Sequence, residues 1–372
     1  MAQSWVRSVL LGFCFAASSA SAWCDIVVGQ SIALTGGLAE FGQAVVRGAK
    51  LHLDQVNAAG GINGQKVVVK TLDDNGKADK AAENVRALIE RDKVLAIFGG
   101  IEGGPCTRTL KVAVELKTPF IACLAGSPEM REPFAEESFT VRAPHFAEFE
   151  KIIEIAASYG MTRFGFLHAD SDTGRKHLAN VNRLLAARKL PSAKSFVMVS
   201  GAKPDAIAGD VLASDVQAVF NHGSYDFYSD VILQVRGTSP TKPSFFAVNS
   251  GIAQMARKLG ERGKGLTFTS VVPFPNSGRE EVAREFRKLY TASYGRQSAS
   301  LAEMEGYISA KVLTEGLRRA GRRPTRESLV NAMTNLGTYD AGGYLVRYVP
   351  EDHVGSRYVN TAVIRGDGRF VY

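Results

Sequence analysis

Asn57–Lys70, NAAGGINGQKVVVK, sets three glycines and two asparagines between an amphipathic run and a run of valines. Upstream, in AEFGQAVVRGAKLHLDQVN, Phe41, Val45, Ala49, Leu53 and Val56 recur at near-helical spacing, and downstream QKVVVKTLDD is β-branched and extended. Gly60 and Gly61 supply a helix C-cap and a left-handed turn, and Asn63-Gly64 supplies a second turn. The stretch therefore predicts a helix that reverses sharply into a parallel strand.

Working outward, the same alternation continues. DIVVGQSIAL precedes the first helix as a buried-type strand, and KADKAAENVRALIERD, VLAIFGG, PCTRTLKVAVELK and TPFIACLA follow as helix, strand, helix, strand. That order implies a parallel sheet with helices on both faces. After RAPHFAEFE the strand-like RFGFLH, SFVMV, VQAVFNH, PSFFAV and GLTFTSVV interleave with helical DTGRKHLANVNRLLAARK, DAIAGDVLA, YDFYSDVILQVRG and IAQMARKLGERG. Three helical segments then lead to the extended YLVRYVP and RYVNTAVIRGDGRFVY. Two α/β units followed by helices and late strands predict discontinuous domains, with the chain crossing between them more than once.

The 372 residues, 45% hydrophobic and 22% charged, suit two globular domains. At the start, Arg7, the apolar stretch Val9–Ala17 and Ala20-Ser21-Ala22 have the pattern of a secretory signal peptide cleaved after Ala22, which predicts export to the periplasm. The formal charge is +8, or +7 (44 basic against 37 acidic) without Arg7; its scatter describes a solvated surface and not a nucleic-acid face. Cleavage leaves Cys24, Cys106 and Cys123. An oxidising compartment permits one bond; Cys106 with Cys123 is the preferred pair and free buried thiols are the alternative.

The run IVVGQSIALTGGLAEFGQAVVRGAKLHLDQVNAAGGINGQKVVVKTLDDNGKADKAAENVRALI, followed by VLAIFGG, resembles the leucine/isoleucine/valine-binding family of type I periplasmic substrate-binding proteins. The likeness is strongest over residues 26–130. It implies two Rossmann-like lobes joined by three crossovers and closing on a small ligand. Lobe one would comprise 25–142 and 275–345, and lobe two 143–274 and 346–372, with TVRAPHF, VVPFPNS and GGYLVRY as the crossovers.

The resemblance also implies where a ligand sits, at loops beyond the carboxyl ends of strands. Phe41 falls on the family's aromatic wall. In GGIEGGPCT, Glu102 and Gly103 precede a helix whose first N–H groups are open. Gly103 stands where amino-acid binders have a serine, and Gly126 where they have a threonine, so that room is left for a bulkier ligand, and Leu124 and Ser127 are the neighbouring substitutes. In the second lobe the residues are His222 and Tyr225, with Asn249 replacing an acidic partner of the ligand ammonium. Arg142 is either an anion partner or a hinge ion pair.

No constellation for catalysis or for a cofactor is visible. The six histidines lack metal-binding spacing, there is no G-x-S-x-G elbow or P-loop, and LDDNGKAD reads as a turn. The resemblance therefore implies a monomeric, non-enzymatic carrier. It would take a branched-chain or related amino acid, or an aromatic or short-chain carboxylate, to the permease subunits of an ABC importer; a ligand sensor for a regulator or receptor is the alternative.

Overall fold

The computed structural model describes residues 24–295 and 298–372. The expected signal peptide lies outside the described residues. Thirteen elements build the first part of the chain in the order β1 (Ile26–Ile32), α1 (Ala39–Ala58), β2 (Val67–Asp73), α2 (Ala78–Glu90), β3 (Ile97–Phe98), α3 (Gly103–Glu115), β4 (Phe120–Ile121), β5 (Ser138–Phe139), α4 (His145–Ser158), β6 (Phe164–Ala169), α5 (Asp172–Ala187), β7 (Lys194–Met198) and α6 (Pro204–Leu212). There follow β8 (Ala218–His222), α7 (Tyr225–Thr238), β9 (Ser244–Ala247), α8 (Ile252–Leu259), β10 (Thr267–Ser270), α9 (Glu281–Tyr294), α10 (Leu301–Arg319), α11 (Arg326–Thr334), β11 (Gly337–Asp340), β12 (Leu345–Tyr348), β13 (Asn360–Ile364) and β14 (Phe370–Val371).

Two sheets define two Rossmann-like lobes. One is five-stranded and parallel, ordered β2-β1-β3-β4-β5; the other is seven-stranded, ordered β14-β13-β10-β9-β8-β6-β7, with β13 and β14 antiparallel to their neighbours. Apolar residues such as Val28, Ile97, Phe120 and Phe139 are buried in the first sheet, and Phe166, Val219, Phe245 and Phe268 in the second. Burial on both faces accounts for the continuous apolar runs of the central strands.

The opening stretch resolves into two turns and a clamp. Gly61 N donates to Val56 O at 2.9 Å, closing α1, while Asn63 and Gly64, both at positive φ, form the tip of a tight hairpin between Ile62 and Gln65. A Cβ on Gly61 would strike Gln65 O, so the reversal requires glycine there. Asn57 then spans the reversal: its Nδ2 donates to Val67 O at 2.9 Å and its Oδ1 accepts from Val67 N at 2.8 Å.

Three crossovers join the lobes. The chain leaves β5 through residues 140–144 for α4, returns through 271–276, and after the separate β11–β12 ribbon passes through 349–359 to β13. Tyr344, fully buried, donates from its hydroxyl to Val141 O (3.3 Å) or Val271 O (3.1 Å), so one side chain touches the first two crossovers. Tyr348 Oη donates to Thr140 O at 3.1 Å, and Gly355 N to the same oxygen at 2.8 Å. α4, which the sequence pattern had not set apart as a helix, begins directly after the first crossover and buries Phe149, Ile152 and Ile153.

Candidate functional site

The β1–β2 register pairs Ile32 with Asp73 and so brings the end of β2 against the loop leaving β1. Asp73 Oδ1 accepts from Leu34 N (2.8 Å) and Thr35 N (3.3 Å), and Oδ2 from Thr35 Oγ1 (2.5 Å). The Thr35 hydroxyl and then these amides hold the Asp73 carboxyl down at about 2. The loop is thereby fastened, and Phe41 on the first turn of α1 faces the space between the lobes beside Glu40, Ala44 and Arg47.

Asn249, Ser250, Gly251 and Ile252 of the second lobe form the opposite wall of that space, a cavity of about 890 Å³ whose lining also includes Phe274, Ala302 and Glu305. Tyr225 opens α7, whose amide Phe227 N is capped by Ser224 Oγ at 3.2 Å. Its ring lies where a side chain on Gly251 would stand, so residue 251 must lack one. His222 does not stand apart: its ring centroid is 3.9 Å from that of His177 and 4.8 Å from that of His145. Burial, then neighbouring His145 and His177, keep His222 neutral far below its ordinary range.

Gly103 and Gly126 do not leave the room that their missing side chains implied. A Cβ on Gly103 would lie 2.5 Å from Ser127 Oγ, and one on Gly126 would lie 2.7 Å from two carbons of the His145 ring. Ser127, buried, and His145 thus occupy the two vacated volumes, and Gly126 O accepts His145 N at 2.9 Å. Leu124 is buried and donates its N–H to Gly100 O at 3.0 Å. Glu102 precedes α3 at φ 67°, ψ 146°, and no side chain caps the helix.

Between the lobes lies a buried charge network centred on Arg142. Arg142 Nη2 donates to Glu148 Oε1 at 3.0 Å, and Nη1 stands 3.6 Å from Glu305 Oε2. Glu148 also accepts from His145 Nδ1 (2.8 Å), Asn249 N (2.7 Å) and Thr269 Oγ1 (2.5 Å). Burial opposes ionisation of Glu148, yet Arg142 and His145 hold its carboxyl at about 2. Asn249 Nδ2 donates to Glu305 Oε1 at 2.5 Å, so the amide is spent on a carboxylate within the protein. Arg142 is therefore an internal ion-pair centre.

Sequence reasoning missed Glu148, His145, Thr269 and Glu305. LAEMEGYISAK reads only as part of a helical segment, and both its glutamates, Glu303 and Glu305, are buried on α10. The signal was there in a helix whose apolar positions extend round every side.

Among the described residues, two ion pairs bridge the lobes away from the network. Arg257 on α8 meets Glu40 on α1, and Lys176 on α5 meets Glu129 at 2.9 Å. Cys106 of α3 is bonded to Cys123 after β4, tying the helix that follows Gly103 to the segment carrying Leu124; Cys24 is exposed and free. Among the described residues, no group of three or more His, Cys, Asp and Glu side chains could hold a metal ion, and no helix is long and apolar enough to cross a membrane.

Two hinged α/β lobes around a cleft define a type I periplasmic binding protein. Residues 25–369 match the periplasmic binding protein family, and the chain belongs to it. It is similar to a substrate-binding periplasmic protein from Ralstonia solanacearum (28% identity, 93% of this chain and 99% of that one, TM-score 0.84). It is similar also to an extracellular ligand-binding receptor from Verminephrobacter eiseniae (28% identity, 94% and 100% covered, TM-score 0.85). A Leu/Ile/Val-binding protein homolog 8 from Brucella abortus is 26% identical over 353 residues, covering 88% of this chain and 85% of its own length.

Proposed function

We propose that the chain is the extracytoplasmic solute-binding component of an ABC importer, working as a monomer in the periplasm without a cofactor. It would capture a branched-chain or related amino acid, or an aromatic or short-chain carboxylate, and present it to permease subunits of the inner membrane. The lobes are proposed as 25–142 with 275–345 and 143–274 with 346–372, although the expected third crossover, GGYLVRY, is taken up by β12 of the β11–β12 ribbon and the chain passes to β13 through 349–359. The observation that carries the reading is the cavity of about 890 Å³ walled by α1 on one side and by residues 249–252 on the other. Its size is within the range of small-molecule sites, roughly 300–1,000 Å³. The Brucella relative's name supports the amino-acid class.

Phe41 and Asn249, which line the cavity, are proposed as the ligand's surroundings, and Glu102, Gly103, Leu124, Gly126, Ser127, His222 and Tyr225, which lie outside its lining, as the residues that the family likeness adds to them. A ligand touching both walls favours the closed jaw, because only that state offers all its contacts at once. A thermal-shift screen of amino acids and organic acids, followed by calorimetry and small-angle scattering, tests this. The expected result is one class that raises the melting temperature and compacts the protein, with Phe41→Ala and Tyr225→Ala weakening binding while leaving the fold intact. Unchanged affinity in both variants would remove this pocket.

A further inference from the structure

The cavity between the lobes is larger than a single small amino acid needs. Its volume of about 890 Å³ is the share of about thirty waters, at about 30 Å³ each. Its lining also differs from place to place. Asn249 and Glu305 are polar and belong to the network around Arg142, whereas Phe274 of the second crossover and Phe370 and Tyr372 of the β13–β14 hairpin are aromatic.

The hairpin's own bonds bring those rings to the cavity. Its turn is closed by Arg365 N donating to Arg369 O at 2.8 Å and by Gly368 N donating to Arg365 O at 2.9 Å. Asp367 fastens the return, its Oδ1 accepting from Arg369 N at 3.1 Å and its Oδ2 from Arg369 Nε at 2.9 Å. β14 then pairs Phe370 with Ile364 and Val371 with Val363. Side chains alternate along an extended chain, so Phe370 and Tyr372 share one face while Val371, half-exposed, takes the other. Phe370 meets Phe268 of β10 edge-on, with ring centroids 4.8 Å apart, and Tyr372 lies flat on Phe274, with centroids 4.4 Å and planes 8° apart. Phe274 is 3% exposed, whereas Tyr372 is 45% exposed. Tyr372 is thus fixed to the crossover on one side and still wet on the other, in the lining of the cavity. An apolar group laid on such a surface gains by removing it from water.

We propose that Tyr372, held in place by its stack on Phe274, sets the length of ligand that the cleft accepts, the ligand's apolar end lying against the open side of the ring. The inference rests on the solute-binding reading above and deepens it by naming a residue that fixes specificity; it holds for an amino acid and for a plain carboxylate alike. Because Phe274 belongs to the second crossover, the same contact sets the ligand's far end beside a segment that turns when the lobes close.

The experiment is isothermal calorimetry on two straight-chain series that differ only in length: norvaline, norleucine and 2-aminooctanoate, and pentanoate, hexanoate and octanoate. In at least one series affinity should rise with length, by up to about fourfold for each methylene buried. Tyr372→Ala should remove at least fivefold of the affinity for the eight-carbon member and less than twofold for the five-carbon member, whereas Tyr372→Phe, which keeps the stack, should bind both as the unmodified protein does. Melting temperatures should show both variants folded. Affinity that is flat or falls beyond six carbons, or an equal loss for every member in Tyr372→Ala, overturns the inference and leaves the solute-binding reading standing. No binding in either series also overturns it, and the wider screen of amino acids and organic acids then decides the solute-binding reading on its own.

Discussion

Arg257 Nη2 lies 2.6 and 2.7 Å from the two carboxylate oxygens of Glu40, so a single guanidinium nitrogen joins α8 of one lobe to α1 of the other at the rim of the cavity. Both side chains are more than half exposed, and such pairs contribute about 0–1 kcal/mol. Arg257→Ala should therefore weaken ligand binding by no more than about fivefold, and the difference should fade at high salt. Calorimetry at low and high ionic strength checks this; a loss beyond tenfold would give Arg257 a direct contact with the ligand.

Arg142 behaves differently because its partners are buried with it. Removing it as Arg142→Met strands Glu148 and Glu305 without their cation, which should cost about 3–5 kcal/mol. Urea denaturation at pH 7 measures it. A loss under about 1 kcal/mol would show that solvent already reaches these carboxylates.

His177 is fully buried among His145, His222 and Phe149, and neither ring nitrogen has a hydrogen-bond partner. Burial first, then His145, pulls its pKa from 6.5 to about 3. Between these values the unfolded chain binds a proton that the folded chain refuses, so stability is present above pH 6.5 and declines as pH falls toward 3. By pH 5 this group alone removes roughly 2 kcal/mol, taking 1.36 kcal/mol per pH unit. Melting curves from pH 7 to 4 should fall less steeply for His177→Phe than for the unmodified protein; parallel curves would exclude the residue.

The Cys106–Cys123 bond closes a loop with a sequence separation of 17, for which chain entropy gives about 3 kcal/mol. Replacing both cysteines with alanine should lower stability by about 2–4 kcal/mol. Thiol labelling of the unreduced mature protein should find one reactive group, Cys24. Three labelled thiols would remove the bond.

The fold was legible where local chemistry repeats. The valine and phenylalanine runs marked the strands, and the glycine pairs after α1 marked its reversal, because burial on both faces and positive φ each demand particular residue types. The site was legible in part, at loops that follow strands, such as those of Glu102 and Tyr225. The Arg142 network was not, because Arg142, Glu148, Asn249, Thr269 and Glu305 come from five separate segments and meet only after folding. Nor does a glycine reveal what fills the volume beside it: Ser127 is distant from Gly103 in the chain, and His145 reaches Gly126 from the following helix.

The route of the chain sets how the protein can be divided. The first sheet leans on α10, where Gly48 of α1 approaches Glu303 O too closely for any side chain, and the second sheet takes β13 as the neighbour of β10. Both halves of the jaw thus wait for residues beyond 300 before either interior is sealed. A gene cut at any single point yields no self-sufficient half, and an isolated lobe would have to be rebuilt by splicing segments from opposite ends.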